Sequence, residues 1–393
     1  MGKACNRSGI LPRMAKKDVS KQALALHLKL GGKIRINPTS PVRNRADLSL
    51  IYTPGVAAVS TYLANNKEKT REYTMKGRTV AVVSDGSAVL GLGNIGPEGA
   101  LPVMEGKAAL FKAFGGIDAV PIVLSSQDPD DIVDTVLRIA PTFGGINLED
   151  IAAPKCFEIE RRLIERLDIP VMHDDQHGTA IVVLAALINA LKVVKKRIEM
   201  VKVTISGAGA AGTAVAKLLR AAGVRHIIVL DSKGIIGKYR NDLTPHKKEL
   251  AAFTNESNFR GGLRDALTGA DVLVGVSGPG LARAEDIRLM APKPIVFALA
   301  NPTPEIMPDE AHNGGAVVIG TGRSDFPNQI NNSLAFPGVF RGALDNRVTR
   351  ITETMKLEAA KALAGLIPKP TAKKILPDMF DKRVAKAVAK VIR

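Results

Sequence analysis

Two rhythms of apolar and polar residues run along the chain. Thr79-Val-Ala-Val-Val83 and Val120 to Leu124 are short, nearly continuous apolar runs of the kind that form buried strands. Between and after them, Lys107 to Phe114 and Asp128 to Ala140 repeat with helical spacing, and glycines 115 and 116 close the first of these. Ser20 to Leu30 reads as an earlier helix stopped by Gly31-Gly32, and Gly86 to Gly99 as a glycine-rich loop. Strands alternating with helices predict a parallel sheet.

The second half repeats the alternation. Thr179 to Val194 predicts a helix buried most of the way round, and its longest apolar run, Ala180 to Ile188, is too short to span a bilayer. Val201-Lys-Val-Thr-Ile-Ser206 then predicts a strand, followed by a helix to Ala222 and a strand over His226–Leu230. Further strands should end near Val276, Ala300 and Gly320. The expected fold class is α/β, with an N-terminal α/β domain and a Rossmann-type doubly wound dinucleotide-binding domain.

Gly207-Ala-Gly-Ala-Ala-Gly212 sits between that strand and its helix. Alone the pattern is weak; between a strand and a helix it is a dinucleotide fingerprint. Gly207 permits the tight turn, Gly209 admits a pyrophosphate, Gly212 allows close helix–strand packing, and the amides from Ala210 onward face the phosphates. Asp231 closes the next strand, where an acid accepts hydrogen bonds from the adenosine ribose. Lys233 could meet a 2′-phosphate instead. The cofactor is therefore NAD or NADP, with Asp231 favouring NAD.

Two acidic pairs suggest a cation. Glu149 and Asp150 end one strand-like segment, and Asp174 and Asp175 follow another. Crowded carboxylates need a neutralising charge, and an oxygen-rich set suits Mg²⁺ or Mn²⁺. His173 and His177 complete no zinc spacing.

Composition changes the picture little. Hydrophobic content of 46% and charged content of 24% describe a globular chain with room for two domains in 393 residues. The net charge of +17 suggests polyanion binding, yet the excess lies before residue 51 and after residue 340, and the stretch between is balanced. With no Trp and four Tyr, base stacking is poorly supplied. No nucleic-acid or membrane partner is expected. Two cysteines, Cys5 and Cys156, form no disulfide framework, and no apolar signal follows the basic start, so a cytoplasmic location is expected.

An ordered series of motifs resembles the malic enzymes, in particular the short bacterial type. It begins at Leu48-Ser-Leu-Ile-Tyr-Thr-Pro-Gly-Val56, Ser84-Asp-Gly-Ser-Ala-Val-Leu-Gly-Leu-Gly-Asn-Ile-Gly96 and Pro102-Val-Met-Glu-Gly-Lys107. Pro141-Thr-Phe-Gly-Gly-Ile-Asn-Leu-Glu-Asp150, His173-Asp-Asp-Gln-His-Gly-Thr179 and the glycine loop continue it. Phe297-Ala-Leu-Ala-Asn-Pro-Thr-Pro304 and Thr321-Gly-Arg-Ser-Asp-Phe-Pro-Asn-Gln-Ile-Asn-Asn332 complete it. The resemblance implies NAD(P)-linked, divalent-metal-dependent oxidation of malate, followed by decarboxylation to pyruvate. It implies Glu149, Asp150 and Asp175 as metal ligands, Lys107 as general base, Tyr52 as general acid, and Asp174 as an aid to Lys107. Asn301, Asn331 and Asn332 would meet substrate, and Asn301 also the nicotinamide end. Larger members carry an arginine for a malate carboxylate where this chain has Ala88, which leaves the distal carboxylate's partner open.

The expected divisions are a basic extension (1–18), a metal and substrate domain (19–178), a Rossmann domain (179–340) and a helical tail (341–393) packing on the first domain. A homodimer or higher oligomer is implied by the family. The rival readings are an oxaloacetate decarboxylase or a dehydrogenase for a related diacid such as tartrate, and, more remotely, an inactive polyanion-binding protein.

Overall fold

A computed structural model describes residues 19–393 apart from Leu90; Cys5 and the extension 1–18 lie outside the described residues. An arm comes first: α1 (Val19–Leu30), α2 (Arg45–Ile51), α3 (Gly55–Asn65) and α4 (Thr70–Tyr73). None of these four helices buries a residue. The first sheet follows, built from β1 (Thr79–Ser84), α5 (Gly96–Leu110), β2 (Asp118–Val123), α6 (Pro129–Ile139), β3 (Gly145–Leu148), α7 (Lys155–Arg166) and β4 (Val171–His173). Its strands pair in parallel in the order β2-β1-β3-β4.

α8 (Asp174–Val194) joins the two sheets, and begins five residues earlier than its apolar pattern predicts. Asp174 and Asp175 thus occupy its first turn, where the positive end of the helix dipole favours acids. At 21 residues and a mean hydropathy of 1.8, α8 has the length and composition to cross a membrane, contrary to the expectation from residues 180–188 alone. Its middle is instead core: every residue from Ala180 to Leu187 is buried, between the first sheet and the Rossmann helices. Each such leucine or valine contributes about 1.5–3 kcal/mol by leaving water.

The second sheet comprises β5 (Lys202–Ser206), α9 (Ala210–Ala221), β6 (His226–Asp231), β7 (Gly234–Ile235), α10 (Pro245–Phe253), α11 (Leu263–Leu267) and β8 (Val272–Gly275). α12 (Ala284–Ile287), β9 (Ile295–Ala298), α13 (Pro308–Asn313) and β10 (Val318–Thr321) complete it. The order β10-β9-β8-β5-β6-β7 is parallel except for β7, and it reverses direction at β5, where the glycine loop lies. Ligands of open α/β sheets bind at such a switch point. The tail forms α14 (Phe336–Asp345), α15 (Glu353–Gly365) and α16 (Arg383–Ala389). Phe336 and Phe340 of α14 stack on Phe111 at 4.6 and 5.5 Å, while α15 packs on α8 and α9. The tail therefore touches both units.

Candidate active site

The carboxyl ends of β3 and β4 deliver the acids and α5 delivers an amine. Glu149 and Asp150 follow β3 directly, and the Glu149 amide donates to Val83 O at 2.9 Å. Asp150 adopts φ 54°, a left-handed conformation uncommon outside glycine, and its amide donates to Asp175 Oδ2 at 2.8 Å. One carboxylate oxygen each from Glu149, Asp150 and Asp175 lies within 4.8 Å of the other two. That spacing fits a single hard cation bound by oxygen.

Lys107 is buried beside them. Its Nζ lies 2.7 Å from Glu149 Oε1 and 2.5 Å from Asp174 Oδ2, over the Phe336 ring at 4.2 Å. Asn147 Nδ2 donates to Glu149 Oε2 at 2.9 Å. Gly178 makes room one turn beyond Asp174: a Cβ there would stand 1.8 Å from Asp174 Oδ1 and 3.1 Å from the Asn332 Cβ. Asn332 therefore borders the cluster, whereas Asn331 spends its Oδ1 capping the turn at Ser333.

Charge in this pocket is unevenly matched. Burial alone would lower the Lys107 pKa, but Asp174, Glu149 and Asp175 outweigh it and hold the ammonium firmly charged. Burial raises Glu149 and Asp175, with Lys107 opposing. Burial, and then the charge of Glu149, push Asp174 up to about 8. One cation among several dry carboxylates leaves the set short of positive charge, the condition a bound divalent ion relieves.

Glu160 on α7 was not legible as a site residue. It is buried, accepts from the His173 amide at 2.7 Å and from Gln176 Nε2 at 3.0 Å, and faces His177 Nε2 at 3.0 Å. Lys356 of α15 closes the chain, 2.9 Å from His177 Nδ1. Burial works against the Glu160 charge, but His177, Lys356 and His173 bring its pKa down to about 2. The anion pins the backbone immediately before Asp174.

A groove of about 690 Å³ runs from Ala153 and Pro154, just past the acid pair, across the glycine loop to Asp231 and Lys247. Gly207 takes φ 118°; a Cβ at Gly212 would meet Gly207 O at 1.8 Å, and one at Gly209 would meet nothing within 4 Å. The bare, open Gly209 is what close approach of a pyrophosphate requires. Ala210 opens α9. Asn301 lies where the two units meet: a Cβ at Gly91 would stand 2.0 Å from its carbonyl oxygen.

Two of the expected site residues have surroundings that the sequence did not show. Asp231 is no free ribose acceptor, because both its oxygens are already paired, with Arg240 and with Lys247. Tyr52 lies on the exposed arm, whereas Lys107 and Asp174 are buried and paired. It caps α2 with 66% of its surface exposed, and among the described residues its hydroxyl has no hydrogen-bond partner. The apolar character of the arm had no visible sign of exposure in sequence, since Leu24, Leu28, Leu50 and Tyr52 look like core residues.

A dinucleotide groove opening beside buried carboxylates and a lysine defines a nicotinamide-dependent oxidoreductase of two α/β units. The chain belongs to the malic enzyme family. Residues 31–164 match the malic enzyme N-terminal domain, and residues 176–393 match the malic enzyme NAD-binding domain. It is 56% identical to the bifunctional malic/malolactic enzyme of Bacillus subtilis over 95% of this chain and 92% of that protein. The NAD-dependent malic enzyme of Geobacillus stearothermophilus is 54% identical over 95% of this chain and 78% of its own length. The crystal structure of the Thermotoga maritima NAD-dependent malic enzyme superposes with a TM-score of 0.91 at 51% identity, covering 94% of this chain and 98% of that one. The activity is accordingly oxidative decarboxylation of malate with NAD or NADP.

Proposed function

We propose that Lys107 is the base and Tyr52 the acid of this reaction, with Glu149, Asp150 and Asp175 holding Mg²⁺ or Mn²⁺. The convergence of Lys107 with those acids beside the dinucleotide groove carries the reading. A divalent cation on the three acids would polarise the 2-hydroxyl of malate and replace Lys107 as the counter-charge, so that the ammonium can release its proton to solvent and become a free amine. Lys107 Nζ would then take the hydroxyl proton, and a bound nicotinamide would supply the acceptor for the hydride of C2. Asp174, on Lys107, orients the amine and stabilises the ammonium that forms. The β-keto acid loses CO₂, the electron pair of the broken C–C bond forms the enolate, and the Tyr52 hydroxyl protonates C3 to give pyruvate. Asn332, beside Asp174, and Asn301, between the units, are the candidates for substrate contact, Asn331 being occupied as a cap.

Tyr52 reaches that role in a homodimer. The arm of one protomer, with its exposed Leu48, Leu50 and Ile51, seats against a second copy and brings Tyr52 to the partner's cluster. The site is incomplete without it. A cytoplasmic location is supported by Cys156, a buried free thiol. The test is formation of reduced nicotinamide from malate and Mn²⁺ with each dinucleotide; no turnover with either overturns the assignment.

A further inference from the structure

β6 ends at Asp231, where an unpaired acid would accept the adenosine ribose hydroxyls and repel a 2′-phosphate. Here Arg240 Nη1 and Nη2 donate to Asp231 Oδ1 and Oδ2 at 2.7 and 3.1 Å. Lys247 Nζ donates to Oδ2 at 2.7 Å, and the Lys233 amide to Oδ1 at 2.9 Å. The fork of Arg240 also grips Asp242, through Nε at 2.9 Å and Nη2 at 2.8 Å, and Lys233 Nζ lies 2.9 Å from Asp242 Oδ2. Three cations therefore surround two carboxylates, and the patch is positive. These partners hold the Asp231 pKa down at about 2 despite burial, so the acid stays ionised and saturated.

We propose that this end of the groove is built for a 2′-phosphate, which makes the chain prefer NADP to NAD. Arg240, only 9% exposed, neutralises Asp231 from beneath, removing the repulsion that would exclude the phosphate. Lys247 lines the groove with Ser232 and Thr244, and its ammonium keeps donors to spare beyond the one on Asp231. Lys233, exposed on the turn, supplies a second cation at the mouth. The ribose loses an acceptor for its 2′-hydroxyl, which an unphosphorylated cofactor would feel most. The inference rests on the dinucleotide groove and is independent of the roles given to Lys107 and Tyr52.

Calorimetric titration of the full chain with 2′,5′-ADP and with 5′-AMP, which differ only in the 2′-phosphate, at one ionic strength, tests this without turnover. Tighter binding of 2′,5′-ADP by about ten-fold or more, on the scale of one charge-assisted contact, is expected. Lys247→Ala should lose most of that advantage and Lys233→Ala part of it, with 5′-AMP affinity not reduced in either, since 5′-AMP has no 2′-phosphate for these ammonium groups to meet. Equal or tighter binding of 5′-AMP by the unaltered chain overturns the proposal, as does an equal loss for both nucleotides in the two variants. Binding of neither would overturn the groove assignment itself.

Discussion

The buried cluster around Lys107 and the arm around Tyr52 obey opposite physics. Lys107, Glu149 and Asp174 are sealed behind Phe336 and the carboxyl ends of β3 and β4. The chain closes that half of the site by itself, using hydrogen bonds and ion pairs that lose their worth if any one partner is removed. The arm holds apolar side chains in water, and a phenol with no hydrogen-bond partner among the described residues. On the proposed reading, the difference teaches how one reaction centre divides into a part that folding completes and a part left for association.

Each half can be broken separately. Lys107→Ala should lower turnover by about 10²–10⁴-fold, the contribution of a positioned base, while dinucleotide affinity by fluorescence titration stays level. Near-normal turnover would remove Lys107 from the chemistry. Asp175→Ala comes next. Even partners behind metal ligands are worth about 10–100-fold in affinity, so loss of a ligand should weaken Mn²⁺ binding by at least that much in a paramagnetic-resonance titration. An unchanged isotherm would take Asp175 out of the ligand set. Tyr52→Phe should slow pyruvate release by about 10²-fold yet leave the Mn²⁺ isotherm untouched, because the phenol is not one of the three acids that would hold the ion.

A stability measurement sharpens the boundary of the buried half. Glu160→Gln should destabilise the fold by about 3–5 kcal/mol at neutral pH, the scale for breaking a buried charge set. The Glu160 pKa in the folded chain is about 2, below the ~4.3 of a free glutamate. Its stabilisation is thus complete above the free value and fades as pH falls through the folded one. The melting curves of variant and parent should converge on approach to pH ~2; a constant gap would mean that charge is not the cause.

Much of this was legible before folding. The glycine loop announced itself because β5, the turn and α9 each left a separate signature around Gly207, Gly209 and Gly212. The acid pairs were visible too, but their placement was not. Asp174 and Asp175 look like a polar loop until the dipole of α8 is taken into account. Glu160 stayed hidden because α7 is rich in charges at i,i+4 spacing, and only tertiary packing separates the buried one from its solvated neighbours. The pairing of Asp231 with Arg240 bridges nine residues through a turn, a distance over which sequence carries no register. The exposure of Tyr52 is a property of the surface, and an apolar stretch reads the same whether core or partner covers it.

Mixing two inactive variants tests the division directly. Lys107→Ala retains Tyr52, and Tyr52→Phe retains Lys107; dissociated and reassembled together, they form mixed dimers. If the arm serves the partner, one site of each mixed dimer is whole, and malate turnover should return to about a quarter of the parent value for random two-fold pairing. If the mixture stays as inactive as its components, Tyr52 does not act across the interface and the account fails.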